Sequence, residues 1–325
     1  MIKHPTYNIF GGIMTFIIDE EWAGRPVLSF LKSKLKISSS ALAALKRNDM
    51  GITVDGRHVT VRHMLSLGET LSVNEKDSIN NVNESIEPVD IPLSIIFEND
   101  DIMVIDKPAN MPTHPSHNHH GDTVANAVAH IYKERGQPLV FRPMGRLDRN
   151  TSGIVVLAKN LLSASFLSHA RRNSLVSKRY IAILCGKVET DGGMQVIDTY
   201  MKRTDASVIM RCVTEKDDDK AMYALTYWRL LYASDNISVV EAFPQTGRTH
   251  QLRVHFAHIG HPILGDDIYG SPSQYIDRHA LHAQVLSLPL PYSGEIATFT
   301  SDFPPDMKLA FRNLTGGELT DTITK

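Results

Sequence analysis

In the run Gly145-Arg-Leu-Asp-Arg-Asn-Thr-Ser-Gly-Ile-Val-Val-Leu-Ala-Lys159 one carboxylate, Asp148, stands between two guanidinium groups, Arg146 and Arg149. Opposite charge nearby keeps a carboxylate ionised even where it is partly desolvated. Such a group can be a nucleophile, a general base or half of a structural ion pair, and residue type alone leaves all three open. A second concentration is Phe243-Pro-Gln-Thr-Gly-Arg-Thr-His-Gln-Leu-Arg253, in which Arg248 and Arg253 can grip an anion or pair with surface acids. A third is the loop with His114, His117, His119 and His120. Zinc needs three or four fixed ligands with supporting partners behind them. These histidines lie instead among Pro112, Pro115, Asn118 and Gly121, so the run reads as a mobile or substrate-facing loop, and no metal site is expected. Ser152 or Ser177 with a histidine would suit a hydrolase, but no Gly-x-Ser-x-Gly turn is present.

The elements that must position these groups follow from apolar spacing. Ile154 to Ala158 is continuous and β-branched, as in a strand buried on both faces, and Asn150, Thr151, Ser152 and Gly153 before it are turn residues. Asp148 is therefore expected in a loop that leads into the core. After Gly247 a turn gives way to a helix in which Leu252, Phe256 and Ile259 face inward, Arg253 points from the first turn towards an anion, and Gly260 is the stop. Ile95-Ile-Phe97 and Ile102-Met-Val-Ile105 read as buried strands, the second ended by Asp106-Lys-Pro108, and the run from Asp122-Thr123 to Tyr132 has an N-cap candidate and the apolar period of a packing helix.

The chain has 325 residues, 42% hydrophobic, with a formal net charge of -2, a composition for a globular protein of two domains rather than for disorder or a fibre. No run approaches the roughly 18 apolar residues of a membrane span. Asp19, Glu20 and Glu21 follow the apolar stretch Ile9–Ile18 where a signal peptide would have small residues. Cys185 and Cys212 show no paired ligand spacing, which fits a reducing compartment, and the cytoplasm is expected. Met14 offers a second start ahead of the first structured segment.

Charge is segregated. Trp22 to Asn74 carries eight basic residues against three acidic ones, whereas Glu75 to Asp101 carries one against eight. The acidic part reads as a linker. The basic part predicts a helix from Val27, Leu28, Phe30, Leu31 and Leu35, and a second, roughly Ala41 to Arg47, capped by Ser38 to Ser40. A hairpin about Asp55-Gly56 and a short strand with Leu71 and Val73 follow. Lys32, Lys34, Lys36, Lys46 and Arg47 give this module a positive surface suited to RNA, or a merely solvated face. The expected organisation is residues 1–21, an extension and first strand; 22–75, the basic module; 76–92, the acidic linker; and 93–325, the larger domain.

The basic module resembles the S4 domain, a small RNA-binding unit, in Arg25-Pro-Val-Leu-Ser-Phe-Leu31, Ile52-Thr-Val-Asp-Gly56 and Gly68-Glu-Thr-Leu71. The two chemistry-bearing runs, joined in order by Ser177-Lys-Arg-Tyr-Ile-Ala182, resemble the RluA-type family of RNA pseudouridine synthases from about Ile95 to Phe303. One departure is Gly145, where many members have His.

The resemblance implies an α+β protein: an S4 module followed by a catalytic domain with a mixed, mainly antiparallel sheet. It implies that Asp148 acts on the glycosidic centre, that Arg253 pairs with Asp148, and that Tyr180 stacks on the target base with its hydroxyl where the C5 proton leaves. Arg146 would enter the RNA as the uridine flips out, and Arg248 would contact a phosphate. The isomerisation is redox-neutral and needs no cofactor. Large-subunit ribosomal RNA is the expected target and tRNA the second, with the protein a monomer. The alternatives are a non-catalytic RNA-binding or ribosome-assembly protein, a hydrolase and a metal-dependent nuclease.

Overall fold

The computed structural model describes residues 7–10, 13–74, 86–116 and 118–323. Its smaller unit is a five-stranded sheet of β1 (Tyr7–Phe10), β2 (Ile13–Ile17), β3 (Ile52–Val54), β4 (Arg57–His58) and β5 (Thr70–Asn74), ordered β1-β2-β5-β3-β4. Alternation decides the faces: Met14, Phe16, Leu71 and Val73 turn inward, and Val73 and Leu71 stand opposite Ile52 and Val54 of β3. Asp55 and Gly56, at φ 48° and 75°, make the left-handed pair that a two-residue hairpin requires. Against the sheet pack α1 (Val27–Ser29), which widens into a π turn over Phe30–Lys34, and α2 (Ser39–Arg47). Ser38 caps α2, its Oγ accepting from the Ala41 N–H at 3.1 Å. Val27, Phe30, Leu31 and Leu35 are buried, but Leu28 is 38% exposed, since one residue round a helix is about 100° off the packed face. The unit also reaches ahead of the boundary expected at Trp22, because Ile13–Ile17 pairs along its length with Thr70–Asn74.

Residues 75–85 of the acidic stretch lie outside the described residues. Residues 86–92 do not run free as a linker. Asn126 Nδ2 donates to the Glu87 carbonyl at 2.8 Å, the Val89 N–H reaches the Asn126 carbonyl at 3.2 Å, and Ile91 packs on the larger core.

The larger unit contains β6 (Ser94–Glu98), β7 (Ile102–Lys107), β8 (Arg142–Pro143), β9 (Ser152–Ala158), β10 (Ser177–Cys185), β11 (Gln195–Arg203), β12 (Arg211–Thr214), β13 (Met222–Ala233), β14 (Ile237–Pro244), β15 (Leu281–Pro289) and β16 (Ile296–Thr300). They form one sheet, ordered β12-β11-β13-β14-β10-β15-β9-β7-β6, with β16 added to β15 and β8 to β9. Among the described residues every pairing is antiparallel except β9 with β15, where Ser152 and Gly153 face His282 and Ala283. The strands are so close there that a Cβ on Gly153, whose φ is 110°, would lie 2.2 Å from the Ala283 carbonyl oxygen.

Helices cover both faces. They are α3 (Val124–Glu134), α4 (Leu161–Arg172), α5 (Gln251–His258), α6 (Pro305–Thr315) and α7 (Leu319–Ile323). Period-two alternation divides β7 and β9: Met103, Ile105, Val155 and Leu157 join the core with α3, α5 and α6, while Ile102, Val104, Ile154 and Val156 join another with Leu167 of α4. The cap of α3 is Thr123, in a reciprocal box with Asn126, while Asp122 bonds His119. No helix among the described residues is long and apolar enough to cross a membrane.

Candidate active site

β7 ends at Lys107, whose side chain is wholly buried. Its Nζ donates to the carbonyls of Pro108, Met111 and Arg149 at 2.8, 2.9 and 3.0 Å. Three donors for three acceptors is the inventory of an ammonium. Burial and then the Arg278 guanidinium pull its pKa down to about 7, while Asp148 and Asp106 act to raise it. Arg149 directly follows Asp148, so Lys107 clamps the loop that carries the carboxylate. Further ties are Thr113 Oγ1 to the Leu147 carbonyl at 3.3 Å, the Thr151 N–H to the Asp148 carbonyl at 3.1 Å, and Arg278 Nη1 to the Asn150 carbonyl at 3.0 Å.

Asp148 opens into a cavity of about 690 Å³. Among the described residues it is the only carboxylate in the lining, against six cations, Arg146, Arg149, Arg171, Lys178, Arg248 and Arg253. Tyr180 enters the wall from the middle of β10, between Ala242 of β14 and Ala283 of β15, and is 8% exposed. Burial, and then the charge of Asp148, push its phenol well above the ordinary range, so it stays neutral.

The opposite wall is the turn into α5. Gln251 holds it with four hydrogen bonds: Oε1 accepts from Thr246 Oγ1 and the Arg248 N–H, and Nε2 donates to the Leu225 carbonyl and Thr226 Oγ1. His250 sits in the left-handed region at φ 59°, its Nδ1 2.8 Å from the Tyr269 hydroxyl. Burial lowers the pKa of His250, with Asp148 opposing.

Arg253 is the best-held cation of the cavity. Its Nε and Nη2 each donate to the Asp266 carboxylate at 2.7 Å, and its guanidinium lies over the Tyr269 ring, 5.2 Å from the centroid. Burial alone would raise the Asp266 pKa, but Arg253 and the N–H groups of Ile268 and Tyr269 hold it below its usual range.

Residues 101–258 match the family model for RNA pseudouridylate synthase. The chain is 35% identical over 274 residues to an RNA pseudouridine synthase of Bacillus subtilis, YjbO, covering 84% of this chain and 94% of that one. It is also 35% identical over 246 residues to ribosomal large subunit pseudouridine synthase D of Zymomonas mobilis, covering 70% of this chain and 74% of that one. The chain belongs to the RluA-type family of RNA pseudouridine synthases. Among solved structures, human RNA pseudouridylate synthase domain containing 1 superposes with a TM-score of 0.54 at 27% identity, over 67% of this chain and 87% of that chain.

As a pseudouridine synthase the protein isomerises uridines in RNA, and its cavity brings together Asp148, Tyr180, Arg146, Arg248 and Arg253. Arg146 is exposed at the rim; Arg248 spends its Nε on the Tyr223 carbonyl at 2.8 Å. The expected pairing of Arg253 with Asp148 is not what forms. Arg253 turns both donors to Asp266, whose carboxylate also meets two backbone N–H groups and so fixes a two-pronged acceptor in place; Asp148 acts on Arg253 only through its field.

Lys32, Lys34, Lys36, Lys46 and Arg47 do not line the cavity. Lys32 is engaged within its own unit, donating to the Ile37 carbonyl at 3.0 Å. Of the histidine loop, His114 and His119 line the cavity, His114 against the edge of Phe141, while His117 lies outside the described residues. Ser152 does meet a histidine, His282 Nδ1 at 3.0 Å, but both are buried where β9 meets β15, which no hydrolase substrate could reach.

Reading the sequence alone missed Lys107, Arg171, Lys178, His250 and Asp266. Lys107 and Asp266 stand in the runs Asp106-Lys-Pro108 and Gly265-Asp-Asp267, which look locally like a strand end and a turn. An unpaired basic residue inside an apolar strand was the available signal for Lys107.

Proposed function

We propose that the enzyme acts on large-subunit ribosomal RNA, taking a flipped-out uridine into the Asp148 cavity, with the smaller unit serving as an S4-type RNA grip. The observation that carries this reading is one carboxylate set among six cations in a cavity of about 690 Å³. Its volume lies within the ~300–1,000 Å³ of small-molecule sites. The cations favour a polyanion, and the lone negative group at the reacting centre can meet the electron-poor ribose as the C1′–N1 bond breaks. The uracil then turns, C1′ bonds to C5, the C5 proton leaves and N1 takes a proton up, so the isomerisation neither gains nor loses one. Because Tyr180 stays neutral, its hydroxyl takes that proton only while passing on its own, so it is a stacking partner and relay, not a phenolate base. Arg146, exposed beside Asp148, suits the space a flipped base vacates. The ribosomal target is supported by relatives named ribosomal large subunit pseudouridine synthase D.

The test is site-resolved pseudouridine mapping of total RNA from cells lacking the protein, restored with the intact chain or with Asp148→Ala. One large-subunit site that only the intact chain restores is the expected result. A tRNA site would overturn the target, and equal restoration by Asp148→Ala would overturn the role of the carboxylate.

A further inference from the structure

The two units are fastened together by α4, which also reaches the cavity. Leu162 of α4 is buried in the core of the smaller unit together with Tyr292 of the larger one, and the Ser38 N–H at the head of α2 donates to Ser165 Oγ at 2.7 Å. Leu162, Ser165, His169 and Arg172 recur at intervals of three and four, so they share one side of the helix. His169 lies within the fields of Lys36, from the smaller unit, and Arg172. Arg171, one residue round, enters the cavity wall: Nη1 donates to the Met144 carbonyl at 3.3 Å and Nη2 lies 2.9 Å from where a Cβ on Gly247 would be. Lys178 Nζ and Arg171 Nη1 both approach Gly145, at 3.7 and 3.8 Å from the corresponding point.

Lys36, Arg171, Arg172 and Lys178 have no carboxylate partner within 4.0 Å among the described residues. Arg171 and Arg172 are exposed. A row of like charges without internal counter-ions, held by packing, repels itself unless anions lie along it. We infer that the last turn of α4 is an RNA backbone track, with Lys36 and Arg172 binding phosphates outside the cavity and Arg171 and Lys178 binding those at its mouth. The inference rests on the reading of the cavity as the uridine site. The track makes the smaller unit a fixed extension of the catalytic surface, so a substrate that spans both gains affinity through phosphates beyond those next to the target nucleotide.

The test uses the full chain with Lys36→Glu and Arg172→Glu together, both outside the cavity lining. It uses two RNAs: a long ribosomal fragment that is modified, and a minimal hairpin holding the same uridine. On the long RNA the variant is expected to bind at least about ten-fold more weakly at 0.15 M salt, with the slope of log affinity against log salt shallower by about 2, one per lost phosphate contact. Its kcat on saturating long RNA, and its KM and kcat on the hairpin, should stay within two-fold of the parent, which also reports that the fold is intact. Unchanged affinity and salt slope on the long RNA would overturn the track, as would equal weakening on both RNAs. If instead the parent chain itself formed no pseudouridine in either RNA, the reading of the cavity would fail, while binding and its salt slope would still judge the track.

Discussion

Asp266→Asn tests whether Arg253 is held by Asp266 or by Asp148. The change keeps an oxygen for the N–H groups of Ile268 and Tyr269 and removes only the charge facing Arg253. That guanidinium is 4% exposed and its partner carboxylate wholly buried, so the variant leaves a poorly solvated cation with only the exposed Asp267 carboxylate, 3.6 Å from Nη2, as a close counter-ion. Removing one side of a buried pair costs about 3–5 kcal/mol. At about 2–4 °C per kcal/mol for a chain of this size class, the melting temperature should fall by at least about 6 °C. The loss should persist at high salt, because buried pairs are little screened. Two double-mutant cycles by urea unfolding isolate the pairing: Arg253→Met with Asp266→Asn should show a coupling of about 3 kcal/mol, and Arg253→Met with Asp148→Asn less than about 1 kcal/mol. A larger coupling in the second cycle would refute the pairing and restore Asp148 as the partner.

Three further outcomes are expected. Gly153→Ala should be produced largely unfolded or lose more than about 3 kcal/mol in urea titration, because its Cβ meets the Ala283 carbonyl oxygen at 2.2 Å and its φ is positive; parental stability would show that β9 and β15 do not approach so closely. Tyr180→Phe keeps the ring and loses the relay, so kcat should fall by about 10²-fold or more with KM within about two-fold, measured by steady-state pseudouridine formation; an unchanged kcat would leave Tyr180 only its stacking role. His255, His279 and His282 are buried with pKa values lowered to about 4, 3 and 4, chiefly by desolvation. The folded state keeps them neutral while the unfolded chain takes up protons below about pH 6.5, so stability is complete above that pH and falls as pH drops towards 4, by up to about 1.4 kcal/mol per unit and histidine; equal urea midpoints at pH 7.5 and 5.0 would contradict it.

Much of the fold was legible because its signals are local. The Ile154–Ala158 run is buried on both faces, Asp55-Gly56 forms the hairpin, Ser38 caps α2, and Gly260 follows the end of α5, each decided by a few adjacent residues. Asp148, Tyr180 and Arg253 could be singled out for the same reason: they stand in short runs whose order along the chain matches one family, and the cavity does gather them. Where β2 belonged was not legible, because its partner Thr70–Asn74 lies more than fifty residues on and pairing across that distance leaves no local mark.

Charge pairing was the part that sequence could not decide. Asp148 and Asp266 are both carboxylates that Arg253 could reach from its place on a helix, and residue types are indifferent between them. The choice depends on which one the tertiary structure presents with both oxygens in the plane of the guanidinium, and that follows from how Gly265 to Tyr269 turns beneath α5. Lys107 is the same lesson in reverse. Its sequence neighbours mark the end of a strand, while the three carbonyls that hold it, from Pro108, Met111 and Arg149, come together only once β7 lies beside β9. Sequence determined which chemical groups this synthase has and which elements carry them. Only the packed sheet decided which charge each group meets, because electrostatic partners are set by distances of a few ångströms between segments far apart in the chain.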